Sequence, residues 1–454
     1  TGTHTILTVN MGKVTHFTKD TINNIYYALD SSGRLWREIV NVGGNIVWTT
    51  AKDTNTKTNA HGNGLVYWKG YIFVFKDATI DVYNIAGDSW STDWQTLNTA
   101  AGTNNSHHAI VGQDDIVYYC DKNYVGSIAE NSGQTFAPGT GASFTFNYRA
   151  IDIPSTKIAT YLAELGKNLM IATNSFEIYP WDRTSTSFNI LVILPEENIV
   201  SIINLNNLIY VFGGKLGNIY VTNGPTINRV ATISDYITGV NQSLNSVSFG
   251  GVTTIGDEIL FGVEVTGASG VYAFNTKTGQ IRLRNVISTG LYGTVAINIP
   301  AIIVHNDKTY GGKYIYVSWY NNDTSVAGID TTTQQSSLGI QPYISYAAYF
   351  DSPFYSGATQ LQPRTFSQID IEFSKPLVTG EGIKVFYRTD LNESFTQWGS
   401  AYDFATYGAI KTINDAFGIS TTTGIQIRVQ LTCGTFTGGA QSGASPELKQ
   451  IIIK

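Results

Sequence analysis

Short runs of β-forming residues, each entered from a polar turn, recur along most of the chain. In order they are Asn24-Ile25-Tyr26-Tyr27-Ala28-Leu29, Tyr71-Ile72-Phe73-Val74-Phe75, Asp115-Ile116-Val117-Tyr118-Tyr119 and Asn168-Leu169-Met170-Ile171-Ala172. Then come Asn207-Leu208-Ile209-Tyr210-Val211-Phe212, Glu258-Ile259-Leu260-Phe261-Gly262 and Tyr314-Ile315-Tyr316-Val317-Ser318. Several are apolar at consecutive positions, the pattern of a strand covered on both faces. A turn and a second β-rich segment follow each kernel. Asp30-Ser31-Ser32-Gly33 precedes Leu35-Trp36, Gly213-Gly214-Lys215-Leu216-Gly217 precedes Ile219-Tyr220-Val221, and Gly267 to Gly270 precede Val271-Tyr272-Ala273-Phe274. Gly and Asp in such turns supply the positive φ that tight hairpins need.

The kernels fall about 40 to 56 residues apart, close to the repeat of a four-stranded propeller blade. A blade cannot bury both faces alone; stacking blades round an axis covers each face and leaves only short edges. Tyr272-Ala273-Phe274-Asn275-Thr276-Lys277-Thr278-Gly279-Gln280 reads as an outer hairpin, and Val82-Tyr83-Asn84-Ile85-Ala86-Gly87-Asp88-Ser89-Trp90 echoes it. The chain is therefore expected to be all-β, with a β-propeller of about seven four-stranded blades over residues 1–345. Six to eight blades fit the spacing; a β-solenoid would need shorter, more regular repeats.

The rhythm breaks between Ile340 and Arg364. Beyond it, Gln368-Ile369-Asp370-Ile371-Glu372-Phe373, Ile383-Lys384-Val385-Phe386-Tyr387-Arg388 and Ile425-Gln426-Ile427-Arg428-Val429-Gln430-Leu431 alternate apolar and polar. Period two means one buried and one wet face. Residues 346–454 are expected to form a small antiparallel β-sandwich.

Composition narrows the function classes. Only 14% of the 454 residues are charged, the net charge is −6, and Gly is abundant at 45 residues. No Lys/Arg cluster offers a basic face, which argues against a nucleic-acid partner. The longer apolar runs, such as Phe188 to Pro195, are far too short to span a membrane. Ala401 to Phe417 is the nearest approach to a helix, and Gly408 interrupts it. The first residue is Thr1, so the chain reads as processed or as a piece of a longer product. Cys120 and Cys433 read as two buried free thiols, with an interdomain disulfide as the alternative.

The C-terminal segment resembles a sandwich domain found at the end of tailed-phage virion proteins. The residues that carry this are Val385-Phe386-Tyr387-Arg388-Thr389-Asp390, Trp398-Gly399, Ile427-Arg428-Val429-Gln430-Leu431 and Ser445-Pro446-Glu447-Leu448. The order of propeller then sandwich is similar to propeller-bearing tail proteins, including the nozzle type of short-tailed phages. The resemblance implies a non-enzymatic structural component of a virion tail or tail tip, host-contacting in some arrangements. Its partners would be other tail proteins and copies of itself, and its location the virion. Related sandwiches also occur in secreted carbohydrate-binding proteins. A secreted or surface glycan-binding propeller is thus the alternative, and a polysaccharide-degrading enzyme the weaker one.

Candidate chemistry is sparse. In Asp88-Ser89-Trp90-Ser91-Thr92-Asp93-Trp94, Trp90 and Trp94 with Asp88 and Asp93 are candidate glycan contacts, because Trp stacks on sugar rings and Asp accepts their hydroxyls. Blade-to-blade packing is the commoner use of such tryptophans. Ala129-Glu130-Asn131-Ser132-Gly133-Gln134-Thr135-Phe136 resembles a degenerate Asp-box turn, a structural element of sialidase-like propellers. Arg149, Arg183, Arg229, Arg282 and Arg284 are spread over the blades and read as surface or blade-pinning groups, although a carboxylate clamp would need three to converge. His107-His108 are adjacent on one strand and so point to opposite faces, a poor metal pair. Asp121-Lys122-Asn123 and Asn321-Asn322-Asp323 read as turns, lacking the spaced ligands of a calcium loop. No catalytic residue, metal site or cofactor is assigned.

Overall fold

The structure is a computed structural model. It describes residues 5–6, 11–40, 46–50, 61–99, 105–188, 190–197, 199–214, 217–233, 248–265, 269–285, 287, 297–306, 313–332, 348–352, 354–356, 364–379, 381–390, 393–421, 423–432 and 448–454. These fall into two compact units, strands Thr5–Ile6 to Val326–Thr332 in the first and Ala348–Asp351 to Leu448–Ile453 in the second. The boundary expected at residues 345 and 346 lies outside the described residues.

The first unit is a β-propeller with seven antiparallel sheets among the described residues. Blade 1 runs outward as Val14–Asp20, Ile25–Asp30, Leu35–Val40 and Ile46–Thr50, and blade 2 as Gly64–Trp68, Tyr71–Phe75, Thr79–Asn84 and Ser89–Thr96. Blade 3 is Ala109–Val111, Val117–Asp121, Tyr124–Glu130 and Phe144–Asp152. Blade 4 is Ala159–Leu165, Asn168–Thr173, Glu177–Trp181 and Val192–Ile193. Blade 5 is Ile199–Leu205, Leu208–Gly213, Asn218–Thr222 and Ile227–Thr232, and blade 6 is Ser248–Ile255, Glu258–Glu264, Gly270–Asn275 and Ile281–Asn285. Blade 7 has an interrupted inner strand, Ile297–Asn298 and Ile302–Asn306, then Lys313–Asn321 and Val326–Thr332. Its outermost strand is Thr5–Ile6, so the two ends of the propeller chain share one sheet. Inner strands lie side by side from blade to blade, and Ile302–Asn306 adjoins Val14–Asp20 to close the ring.

Every kernel lies in the second strand of its blade, the strand with a neighbour on each face. Ile72 and Val74 pack toward Tyr27 and Leu29 of blade 1, while Phe73 and Phe75 pack toward Val117 and Tyr119 of blade 3. Each alternate set therefore belongs to a different interblade core, which is why apolar residues occur without alternation. Blade 7 meets blade 1 through Tyr316, Tyr26, Trp48 and Ile329.

Two glycines show how closely the inner strands approach. A Cβ on Gly64 would overlap the His107 carbonyl of blade 3, and one on Gly250 would overlap the Ile299 carbonyl of blade 7. Backbone hydrogen bonds cross at the same places, His107 N to Asn63 O at 2.9 Å and Gly251 N to Ile299 O at 2.9 Å. Gly64→Ala must push two backbones apart, so we expect a loss of about 2–3 kcal/mol, measured by urea unfolding.

The outer edges are blunted. Register shifts between the third and fourth strands interrupt blades 2, 3, 5 and 6; such bulges twist an edge away from further pairing. In blade 4 the fourth strand pairs only with Glu177 and Ile178. Leu194 N donates to Phe176 O on that side, so Phe176, Ile178 and Pro180 turn their backbone outward. Pro180 has no N–H to offer, and the pairing stops before it.

The second unit is an antiparallel sandwich. One sheet orders Ala348–Asp351, Gly424–Thr432, Gly382–Arg388 and Thr396–Asp403, with Tyr355–Ser356 also on Gly424–Thr432. The other orders Thr412–Thr421, Arg364–Phe373 and Leu448–Ile453. Ile369, Ile371 and Phe373 from one sheet meet Ile383, Val385, Ile427 and Val429 from the other. The helical signal amounts to one turn, Phe404–Tyr407, capped by Asp403 and ended by Gly408 at φ 70°. No helix among the described residues is long and apolar enough to cross a membrane.

Candidate functional site

The structure separates the two tryptophans that sequence proximity suggested as one platform. Ile80 pairs with Gln95 but Val82 pairs with Ser91, so three residues of the outer strand bulge opposite Asp81. The Asp81 carboxylate accepts from Asp93 N at 2.7 Å, and Asp93 sits at φ 50°. The bulge reverses the alternation: Trp90 packs on Tyr83 in the core facing blade 1, whereas Trp94 packs on Phe73 and Phe144 in the core facing blade 3. Trp94 also donates its indole N–H to Pro138 O at 3.0 Å. Asp88, at φ 44°, accepts from the Tyr83 hydroxyl at 2.8 Å. Trp90, Trp94 and the Asp88 carboxylate thus make packing or hydrogen-bond contacts within blade 2 or with blade 3, and Asp93 contributes its backbone N–H.

The remaining sequence candidates resolve into packing and turns. Arg149, Arg229, Arg282 and Arg284 lie on fourth strands and Arg183 just beyond a third strand, so none of the five belongs to an inner strand. Arg183 ties Glu164 of blade 4 to Asp114 of blade 3, and Glu258 takes Arg282 and Arg284. Phe136, at the end of the Asp-box-like turn, is buried against Trp68, Tyr71 and Phe73. Asp121 accepts from Asn98 and Thr99 and so fastens the link from blade 2 to blade 3. Asn321 accepts from Asp323 N and Thr324 N in a tight turn. Cys120 is a buried free thiol whose pKa burial pushes well up; Cys433 lies outside the described residues.

What the fold brings together is a set of imidazoles at the starts of the inner strands of blades 1 to 3. His16 stands on the blade 1 strand, His107 and His108 lead into the blade 3 strand, and His61 leads into blade 2. The close approach at Gly64 draws His107 and His108 to within electrostatic range of His16. His107 is buried, its Nδ1 2.7 Å from Cys120 O and its Nε2 3.2 Å from Asp77 O. His61 Nδ1 lies 3.0 Å from the Asp77 carboxylate, which also accepts from Asn63.

Hydrogen bonding fixes the tautomer of His108. Leu162 N donates to His108 Nδ1 at 3.2 Å, so the proton of the neutral ring sits on Nε2. His108 is left with an N–H at Nε2. The Thr15 hydroxyl lies 2.9 Å from Gly62 O and 3.2 Å from Leu29 O. The Thr15 hydroxyl also lies 3.0 Å from His16 Nδ1. The His16 and His108 rings keep part of their surface in water although they stand deep in the ring. Burial lowers the pKa of His16 to about 3, aided by the neighbouring His108 and His107, and that of His108 to about 4. Tyr161 of blade 4 packs its ring 4.8 Å from His108 and is itself raised by burial to about 12. No group of three or more His, Cys, Asp or Glu among the described residues could hold a metal ion.

Sequence reading noticed only the adjacent pair. The signal was available in the repeat: His16, His108 and Tyr161 each precede a kernel by about seven or eight residues, at nearly equivalent positions of their blades.

A second feature lies at the rim. Beside the truncated edge of blade 4 is an open groove of about 530 Å³ lined by Asp152, Tyr179, Thr186, Phe188, Ile190 and Leu191, among others. Ile190 is 45% exposed and Leu191 39%, and Ile193, two residues on, is 54% exposed, which leaves apolar side chains in water beside the groove.

No family model matches the chain, and no curated protein matches it. Among solved structures it is similar to "YCF48 bound to D1 peptide", with a TM-score of 0.50 at 9% identity over 74% of this chain and 97% of that one. The β-propeller domain of Cps50 (Swd1) from Myceliophteria thermophila gives 0.49 at 8% identity over 73% and 100%. BamB from Moraxella catarrhalis gives 0.43 at 14% identity over 71% and 84%. At such identities the likeness shows the fold alone: the chain is a β-propeller protein with a β-sandwich.

Proposed function

We propose that the chain is a non-enzymatic structural subunit of a larger assembly, and that the assembly is the tail of a tailed-phage virion. The observation that supports subunit assembly is the pair of exposed apolar side chains Ile190 and Leu191 lining the blade 4 groove, with the exposed Ile193 next to them in the chain. Exposed apolar side chains lining a groove are a feature of contact sites. The virion setting rests on the C-terminal residues set out above, Val385 to Asp390 and Ile427 to Leu431 in particular. Symmetric assemblies use self-complementary or head-to-tail patches, and a rigid propeller presents its rim to either.

Light scattering and electron microscopy of the native particle carrying this chain test the reading. A closed multi-copy ring inside a tail-like particle is expected; a free monomer sinks it. Leu191→Asp should leave the circular dichroism and unfolding midpoint within the range of surface substitutions, while lowering the affinity between subunits at least tenfold by sedimentation. Unchanged assembly would remove these side chains from the contact. Binding to a glycan array by the monomer would favour the alternative of a surface glycan-binding propeller.

A further inference from the structure

We propose that Asn223 is a site of spontaneous backbone modification, deamidating through attack by the Gly224 amide, while the fold protects the other Asn-Gly pair, Asn63-Gly64. Asn is followed by Gly at these two places in the chain. Glycine has no Cβ, so the attacking amide is sterically open and its peptide turns freely. The surroundings of the two pairs are opposite.

Asn223 lies in the turn between the third and fourth strands of blade 5, Asn218–Thr222 and Ile227–Thr232, just past the paired residues Thr222 and Ile227. It is exposed, and no hydrogen bond joins its carboxamide to another described residue. Gly224 N donates to Thr222 Oγ1 at 3.1 Å, and the Thr222 hydroxyl reaches Gly224 O at 2.7 Å and Thr226 O at 2.6 Å. These bonds stay inside the turn and tie the Asn223–Gly224 peptide to no other blade. Asn63 is only 5% exposed, and its Nδ2 donates to the Asp77 carboxylate at 3.0 Å. Asn63 N donates to Phe75 O at 3.0 Å and Asn63 O accepts from His107 N at 2.9 Å, which clamps that peptide between blades 2 and 3. Turning it so that Gly64 N meets the Asn63 carboxamide carbon requires local opening of the propeller.

The reaction balances with water alone. Gly224 N gives up its proton and bonds to Asn223 Cγ; the bond from Cγ to the carboxamide nitrogen breaks and ammonia leaves. Water then opens the resulting five-membered imide at either carbonyl, giving an aspartyl or isoaspartyl linkage at position 223. Both products add one negative charge to the rim of blade 5, and the second also lengthens the backbone of a turn that Thr222 closes.

Incubation of the full chain at pH 9, followed by tryptic digestion and tandem mass spectrometry, tests this. Asn223 falls in peptide 216–229 and Asn63 in peptide 58–69. A gain of about one mass unit, amide to acid, is expected at Asn223. In the folded chain it should form at least about tenfold faster there than at Asn63, whereas the two rates should converge in guanidinium chloride. A Cβ on Gly224 would meet open space, so Gly224→Ala should keep the unfolding midpoint and slow the change at Asn223. The comparison of folded with unfolded chain needs no variant. Asn223 inert in the folded chain but reactive in the unfolded one, or Asn63 keeping pace with it when folded, overturns the proposal.

Discussion

The unfolding free energy of the propeller should fall steeply as pH drops below about 6.5, before most carboxylates titrate. His16 and His108 are held neutral by burial, at about 3 and about 4 in the folded chain against an ordinary 6.5. A depressed histidine pKa means that the unfolded chain binds protons that the folded chain refuses. The contribution to stability is complete above the unfolded pKa and is lost progressively as pH falls toward the folded values. Each histidine adds a slope of about 1.4 kcal/mol per pH unit between roughly pH 6 and 4. Urea melts at half-unit pH steps should show about twice that slope for the unmodified chain. Removing one imidazole by His108→Asn should halve it, and removing both by adding His16→Asn should flatten it to what the carboxylates contribute. A slope unchanged by these substitutions would assign the acid response elsewhere.

The second large effect is expected at the bulge of blade 2. Lys76 and Asp81 form an ion pair with side chains only 4% and 1% exposed. Asp81 also holds the bulged backbone through Asp93 N. Asp81→Ala leaves a buried ammonium and loosens the backbone that places Trp94 in the core facing blade 3. We expect a loss of about 3–5 kcal/mol, seen as a lower denaturant midpoint. Lys76→Met with Asp81→Leu removes both charges and should recover most of the loss, because a buried pair replaced as a unit no longer leaves an uncompensated charge. If the double variant is as unstable as the single one, the bulge hydrogen bond carries the effect, not the charge.

The pattern of residues was enough to define the architecture. Kernels such as Tyr71 to Phe75 are apolar at every position because each faces two blades, and that burial is written locally. The alternation in Gln368 to Phe373 likewise specified a one-sided strand, with Ile369, Ile371 and Phe373 all in the sandwich core. Turn chemistry was equally local at Asn321, whose side chain accepts from Asp323 N and Thr324 N, whereas Asp121 reaches across to Asn98 and Thr99 in the link from blade 2.

What tertiary structure alone decided were relations between segments. Trp90 and Trp94, four residues apart, share a face in any regular strand; a bulge set by Asp81 from the neighbouring strand puts them on opposite faces. His16 and His108 lie far apart in sequence and within electrostatic range in space, since a ring joins the starts of its inner strands and Gly64 lets two of them nearly touch. Periodicity records which face of a strand is buried. It does not record which distant strand covers that face, and that partner decides the tautomer, the charge and the use of each polar group.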